Sequence, residues 1–182
     1  NAWFVLQDAD GRTVVGAVDG SGETAAIHRD IYAYLKGDGA QIEGTPRAIR
    51  VNPDLRHGLF DRALSVIYLL TSEGGGMFDS RTMDEVYGYR ELLLGLREGE
   101  TIDPEFVKSD KGEIIINGGR MWYASEFEYS VYYPVKLDET LGSAHYLTQA
   151  MSFVNEQTIV YDRAGGRFLW YNRFENPSTL YG

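Results

Sequence analysis

The spacing of apolar residues changes along the chain, and with it the predicted elements. Residues 3–7 and 13–18 are apolar-rich runs separated by Asp8-Ala9-Asp10-Gly11-Arg12, where the Asp-Gly pair supplies the positive φ of a tight turn. A β-hairpin is predicted there. From 23 to 36 the apolar positions Ile27, Ile31, Tyr34 and Leu35 share one helical face, and Gly37 supplies a stop. A short strand is expected at 48–51. Asn52-Pro53-Asp54 then offers an N-cap, a proline suited to the first helical position and an acid on the positive end of the dipole. These residues predict a helix over 53–71 presenting Leu55, Leu59, Ala63, Ile67 and Leu70, ended by Gly74-Gly75-Gly76. A third helix is expected between Ser80 and Gly99, and Asp103-Pro104-Glu105 opens one further turn.

Beyond that point the texture favours strands. Residues 113–116, the turn Asn117-Gly118-Gly119 and a long arm over 120–137 read as a hairpin rich in aromatic and β-branched residues. A fourth helix is predicted over 143–157. Residues 158–162 and 167–173, joined by Arg163-Ala164-Gly165-Gly166, make a final hairpin. The expected fold is therefore α+β: a single domain over 1–182, with a largely antiparallel sheet from the terminal and central hairpins packed against a helical middle section.

Charge narrows the partners. The chain has 182 residues, with 17 Lys and Arg against 27 Asp and Glu, a net charge of −10. With no basic run, a surface that tracks the phosphates of nucleic acid is not expected, and anionic membrane surfaces are disfavoured for the same reason. No run of about 18 apolar residues is present to span a bilayer. A small molecule or a basic protein remains as the expected partner. Cysteine is absent, which excludes disulfides, thiolate metal sites and a cysteine nucleophile. The start at Asn1-Ala2-Trp3, without Met, points to an exported or excised domain.

Candidate chemistry concentrates between 122 and 133. On a continuous strand Glu126 and Glu128 share one face with Tyr132, while Phe127, Tyr129 and Tyr133 take the other. Adjacent carboxylates raise one another's pKa, which suits one of them to general acid or base work. The Glu126-Phe127-Glu128 triplet resembles the acidic motif of ADP-ribosyltransferases, and that resemblance would make Glu128 the catalytic residue. The family's Ser-Thr-Ser strand is missing, however, and its Arg on an early strand could only be Arg12, which falls in a turn. Asp19-Gly20-Ser21-Gly22 is loosely similar to the active-site loop of aspartic proteases, but no hydroxyl residue follows the Asp directly and there is no second copy. Asp8, Asp10 and Gly11 resemble part of a calcium loop whose end positions fall on Leu6 and Ala17, neither of them a ligand. His28, His57 and His145 lack the spacing of a metal motif, so neither a metal nor a cofactor is expected.

The expected function is a non-enzymatic acidic recognition or sensory domain, binding through an aromatic and acidic sheet face made of Trp122, Tyr132, Glu126 and Glu128. One alternative is a carboxylate-dependent enzyme acting on a glycosidic-type bond, with Glu128 as acid or base and Glu126 tuning it. Another is an inhibitor or immunity-type protein that neutralises a basic partner by charge.

Overall fold

The computed structural model describes residues 2–20, 25–55, 64–109, 112–125, 131–137, 146–152, 158–172 and 179–181. The chain divides into two compact units, Asn1–Asp54 with Leu64–Tyr89 and Leu55–Ala63 with Arg90–Gly182. Both are built from strands. The expected α+β fold with a helical middle section is overturned: among the described residues, helix is confined to α1 (Ile31–Lys36) and α2 (Tyr89–Leu92).

The first unit holds two sheets. β1 (Ala2–Ala9), β2 (Arg12–Asp19) and β3 (Ala26–His28) lie in that order, each antiparallel to the next. β4 (Pro46–Leu55), β5 (Leu64–Thr71), β6 (Gly74–Asp79) and β7 (Glu85–Gly88) form a four-stranded meander. The first hairpin has its predicted place, with Ala9 facing Arg12 across Asp10-Gly11. The predicted helix over 23–36 is reduced to its second half. Asp30 caps it by accepting the Ala33 N–H at 3.0 Å, and Gly37 ends it at φ 105°.

The helix expected over 53–71 is where sequence and structure part most clearly. Pro53 lies in β4, an edge strand, the position in a sheet where proline is tolerated. Leu64–Thr71 is β5, and its residues from Val66 to Leu70 are buried without interruption. A strand covered on both faces carries a continuous apolar run, and such a run satisfies a three- and four-residue spacing as readily as a helix does. Gly74-Gly75-Gly76, expected to end a helix, begins β6. The core that joins the two sheets contains Val15, Ile42, Ile67, Leu69, Phe78 and Met83, with Phe4, Leu6 and Tyr32 packed against it. Full burial of each large side chain contributes about 1.5–3 kcal/mol.

The second unit repeats the plan. β8 (Pro104–Ser109), β9 (Gly112–Asn117), β10 (Arg120–Ser125) and β11 (Tyr133–Pro134) make one antiparallel sheet. β13 (Leu147–Ser152), β14 (Thr158–Asp162), β15 (Arg167–Asn172) and β16 (Thr179–Tyr181) make another, to which β12 (Lys136–Leu137) adds a short parallel strand beside β16. The helical turn expected at Asp103-Pro104-Glu105 is the start of β8, and the described part of the predicted helix over 143–157 is β13. The predicted central and final hairpins are present as β9–β10 and β14–β15. Ile114, Ile116, Met121 and Tyr123 of one sheet share a core with Leu147, Val160, Leu169 and Tyr171 of the other. Tyr123 and Tyr171 meet at 5.3 Å between ring centroids. Among the described residues, no helix is long and apolar enough to cross a membrane.

Candidate functional site

Two of the four residues expected to form a binding face lie in the interior. Trp122 is fully buried, and its indole N–H donates to the Leu94 carbonyl at 2.9 Å. Tyr132 is fully buried as well, and its hydroxyl donates to the buried carboxylate of Glu113 at 2.6 Å. Its backbone exchanges bonds with the neighbouring segment, Tyr132 N–H to Leu92 O at 2.7 Å and Leu94 N–H to Tyr132 O at 3.0 Å. Trp122 thus ties the 92–94 segment to β10, and Tyr132 ties it to Glu113 of β9. Glu126 and Glu128 lie outside the described residues, as do His57 and His145.

The face assignment fails because residues 120–137 are not one strand. β10 ends at Ser125, and β11 pairs back on it with Tyr133 facing Tyr123 and Pro134 facing Trp122. Two-residue alternation does not carry across that break, so Tyr132 is inside and Tyr133 outside. Exposed aromatic residues occur instead on the last hairpin, where Phe168 and Trp170 stand on one face of β15 and Phe168 touches Tyr161 at 5.2 Å.

A concave site does form at the β9–β10 turn. A cleft of about 200 Å³ is lined by Glu100, Thr101, Asn117, Gly118, Arg120 and Tyr146. Arg120, the first residue of β10, sets one guanidinium nitrogen 2.9 Å from both carboxylate oxygens of Glu100. The same guanidinium lies 4.7 Å from the centroid of the Trp122 ring, so an aromatic face backs the charge. Asn117, buried, accepts the Asp103 N–H and donates to the Thr101 carbonyl, both at 2.8 Å. This amide ties the 101–103 segment to the turn.

Tyr146 forms the opposite wall. Gly119 has φ 77°, and a Cβ there would lie 2.6 Å from the tyrosine ring, so only glycine lets the turn approach so closely. The Arg163 guanidinium is 4.7 Å from the Tyr146 ring centroid. Tyr146 also donates its N–H to Asp162 at 2.9 Å and accepts the Arg163 N–H on its carbonyl at 2.9 Å. Asp162 is fully buried. Burial pushes its pKa up, but the N–H groups of Tyr146 and Gly165 and the Arg167 guanidinium at 3.1 Å outweigh that and hold it below the usual carboxylate range.

The sequence pattern marked Asn117 and Gly119 as turn residues and passed over Glu100, Arg120 and Tyr146. No local signal joins those three, which come from a loop, a strand start and the approach to β13. Among the described residues no group of three or more His, Asp and Glu side chains is placed to hold a metal ion. In comparison with known proteins the chain matches no family model, no curated protein and no solved structure.

Proposed function

We propose that this chain is a non-enzymatic recognition domain whose ligand, a small polar molecule, seats in the cleft at the β9–β10 turn. The observation that carries the reading is the Arg120–Glu100 pair, opposite charges set together in a concave site by an aromatic ring and a buried amide. Such a pair presents the guanidinium N–H groups that Glu100 does not engage on one side and the remaining carboxylate lone pairs on the other, so it suits a ligand that both accepts and donates hydrogen bonds. At about 200 Å³ the cleft is smaller than the usual drug-sized pocket and favours a ligand of amino-acid or monosaccharide size.

A thermal-shift panel of free amino acids and monosaccharides tests this. A ligand at 100 times its Kd stabilises by about 2.7 kcal/mol, or roughly 5–11 °C for a chain of this length. The rise should be absent in Arg120→Met and in Glu100→Gln. Silence across the panel, or an equal rise in both variants, sinks the reading.

A further inference from the structure

Two opposite charges stand together in the cleft at the β9–β10 turn, and the atoms each leaves open limit the ligand such a site can take. Arg120 and Glu100 keep 40% and 28% of their side-chain surface accessible, so neither seals the other. Both carboxylate oxygens of Glu100 lie 2.9 Å from a single guanidinium nitrogen, Nη1. The guanidinium also rests over the Trp122 ring, which fixes its plane and covers one of its faces. Among the described residues, Nε and Nη2 of Arg120 make no hydrogen bond. Those two nitrogens form the guanidinium edge across from Nη1. Such an edge holds a carboxylate through two parallel N–H donors.

Charge then selects among small polar ligands. Arg120 and Glu100 together carry no net charge, so a lone anion on the open edge is opposed by Glu100. A lone cation on Glu100 is opposed by Arg120 in the same way. A dipolar ion satisfies both. Which nitrogen is already engaged also sets how far apart the two ends of that ion must be. Carboxylates on opposite sides of one guanidinium have their carbons roughly 7–8 Å apart, from ordinary bond lengths and hydrogen-bond distances. In an α-amino acid the nitrogen stands about 2.5 Å from the carboxylate carbon, and a hydrogen bond reaches about 3 Å further. That falls short of Glu100. Two more methylenes carry the nitrogen to about 5 Å and close the gap.

We infer, resting on the reading of this cleft as a ligand site, that its ligand is an ω-amino acid with its charges spaced as in γ-aminobutyrate. Its carboxylate pairs side-on with Nε and Nη2 of Arg120, and its ammonium donates to Glu100. Arg120 and Glu100 are then the residues that set specificity, one for each end of the ligand. Plain carboxylates and plain amines meet one favourable and one opposed charge, and neutral sugars forgo the stronger hydrogen bonds between charged partners.

Isothermal titration calorimetry on the intact chain tests this with γ-aminobutyrate and its isomer α-aminobutyrate, which carry the same atoms and the same charges at different spacing. The γ isomer should bind at least about tenfold more tightly, the effect of one hydrogen bond between charged groups. Butyrate and butylammonium, with one charge each, should fall behind γ-aminobutyrate by a similar factor. Glu100→Gln should bring γ-aminobutyrate down to the level of butyrate. Arg120→Lys keeps the charge but loses the two-pronged edge, so it should weaken γ-aminobutyrate and butyrate alike, with circular dichroism confirming the fold. Equal binding of the two isomers by the wild type, or a preference for γ-aminobutyrate over butyrate that survives Glu100→Gln, overturns the inference. Binding of glucose alone, lost in Arg120→Met, overturns it while leaving the cleft as the ligand site. Silence from all of these probes overturns it too, and the wider panel of amino acids and monosaccharides then decides separately whether the cleft binds a ligand at all.

Discussion

The hairpins β1–β2 and β14–β15 share a turn sequence, Asp-x-x-Gly, and put it to different use. In Asp8-Ala9-Asp10-Gly11 the carboxylate accepts the Gly11 N–H at 2.9 Å and remains exposed. In Asp162-Arg163-Ala164-Gly165 the carboxylate likewise accepts the glycine N–H, but it is buried and holds Tyr146 N–H and Arg167 too. The first turn shapes one hairpin. The second fastens the start of β13 to the β14–β15 turn and so builds a wall of the cleft. A turn motif sets local geometry, whereas its energetic weight comes from what tertiary packing brings to the same oxygen atoms.

That contrast sets an order of expected effects. Asp162→Ala takes away the acceptor of the Tyr146 and Gly165 N–H groups and one partner of the partly exposed Arg167, and each buried donor left unsatisfied costs about 1–3 kcal/mol. The melting temperature should fall by roughly 6–20 °C, and a fall of only a degree or two would put the two turns on an equal footing. Gly119→Ala comes next. The strain of a positive φ and the clash with Tyr146 should cost about 1–3 kcal/mol by chemical denaturation and also abolish the ligand-induced shift assigned to the cleft. Preserved stability together with preserved binding would show that the turn does not position Tyr146.

Acid should expose the contrast in another way. Because the folded pKa of Asp162 lies below its unfolded value of about 3.9, its contribution is whole above that value and is lost as pH falls through the folded pKa. Between pH 6 and 2 the wild type should lose more stability than Asp162→Asn, and parallel titration curves would contradict the assignment. The smallest effect belongs to Asp8→Ala, which removes one exposed hydrogen bond and should cost about 0.5–1.5 kcal/mol. A larger loss would mean that the first turn carries more than its own hairpin.

Turns were the most legible part of the fold. Asp10-Gly11, Gly118-Gly119 and Gly165-Gly166 mark three central hairpins in their observed places, because the need for positive φ is local. The buried strands were not legible. Val66 to Leu70 is apolar at every position, so it satisfied a helical spacing, and Asn52-Pro53-Asp54 supplied a helix start that an edge strand also tolerates. At the site the sequence pointed to an aromatic cluster around Trp122 and Tyr132. The pointer found residues that matter to packing, but alternation assigned them to the wrong side because the strand between them is broken.

By itself, then, the sequence determined the acidic balance, the absence of thiol chemistry, the tight turns and the hairpins that they close. Each follows from residue type or from conformational limits within four or five positions. Only the tertiary structure decided that the middle of the chain is sheet, that Trp122 and Tyr132 are interior, and that Glu100, Arg120 and Tyr146 share a cleft. Those outcomes depend on which surfaces meet across long sequence separations, where burial and the pairing of backbone groups override local preference.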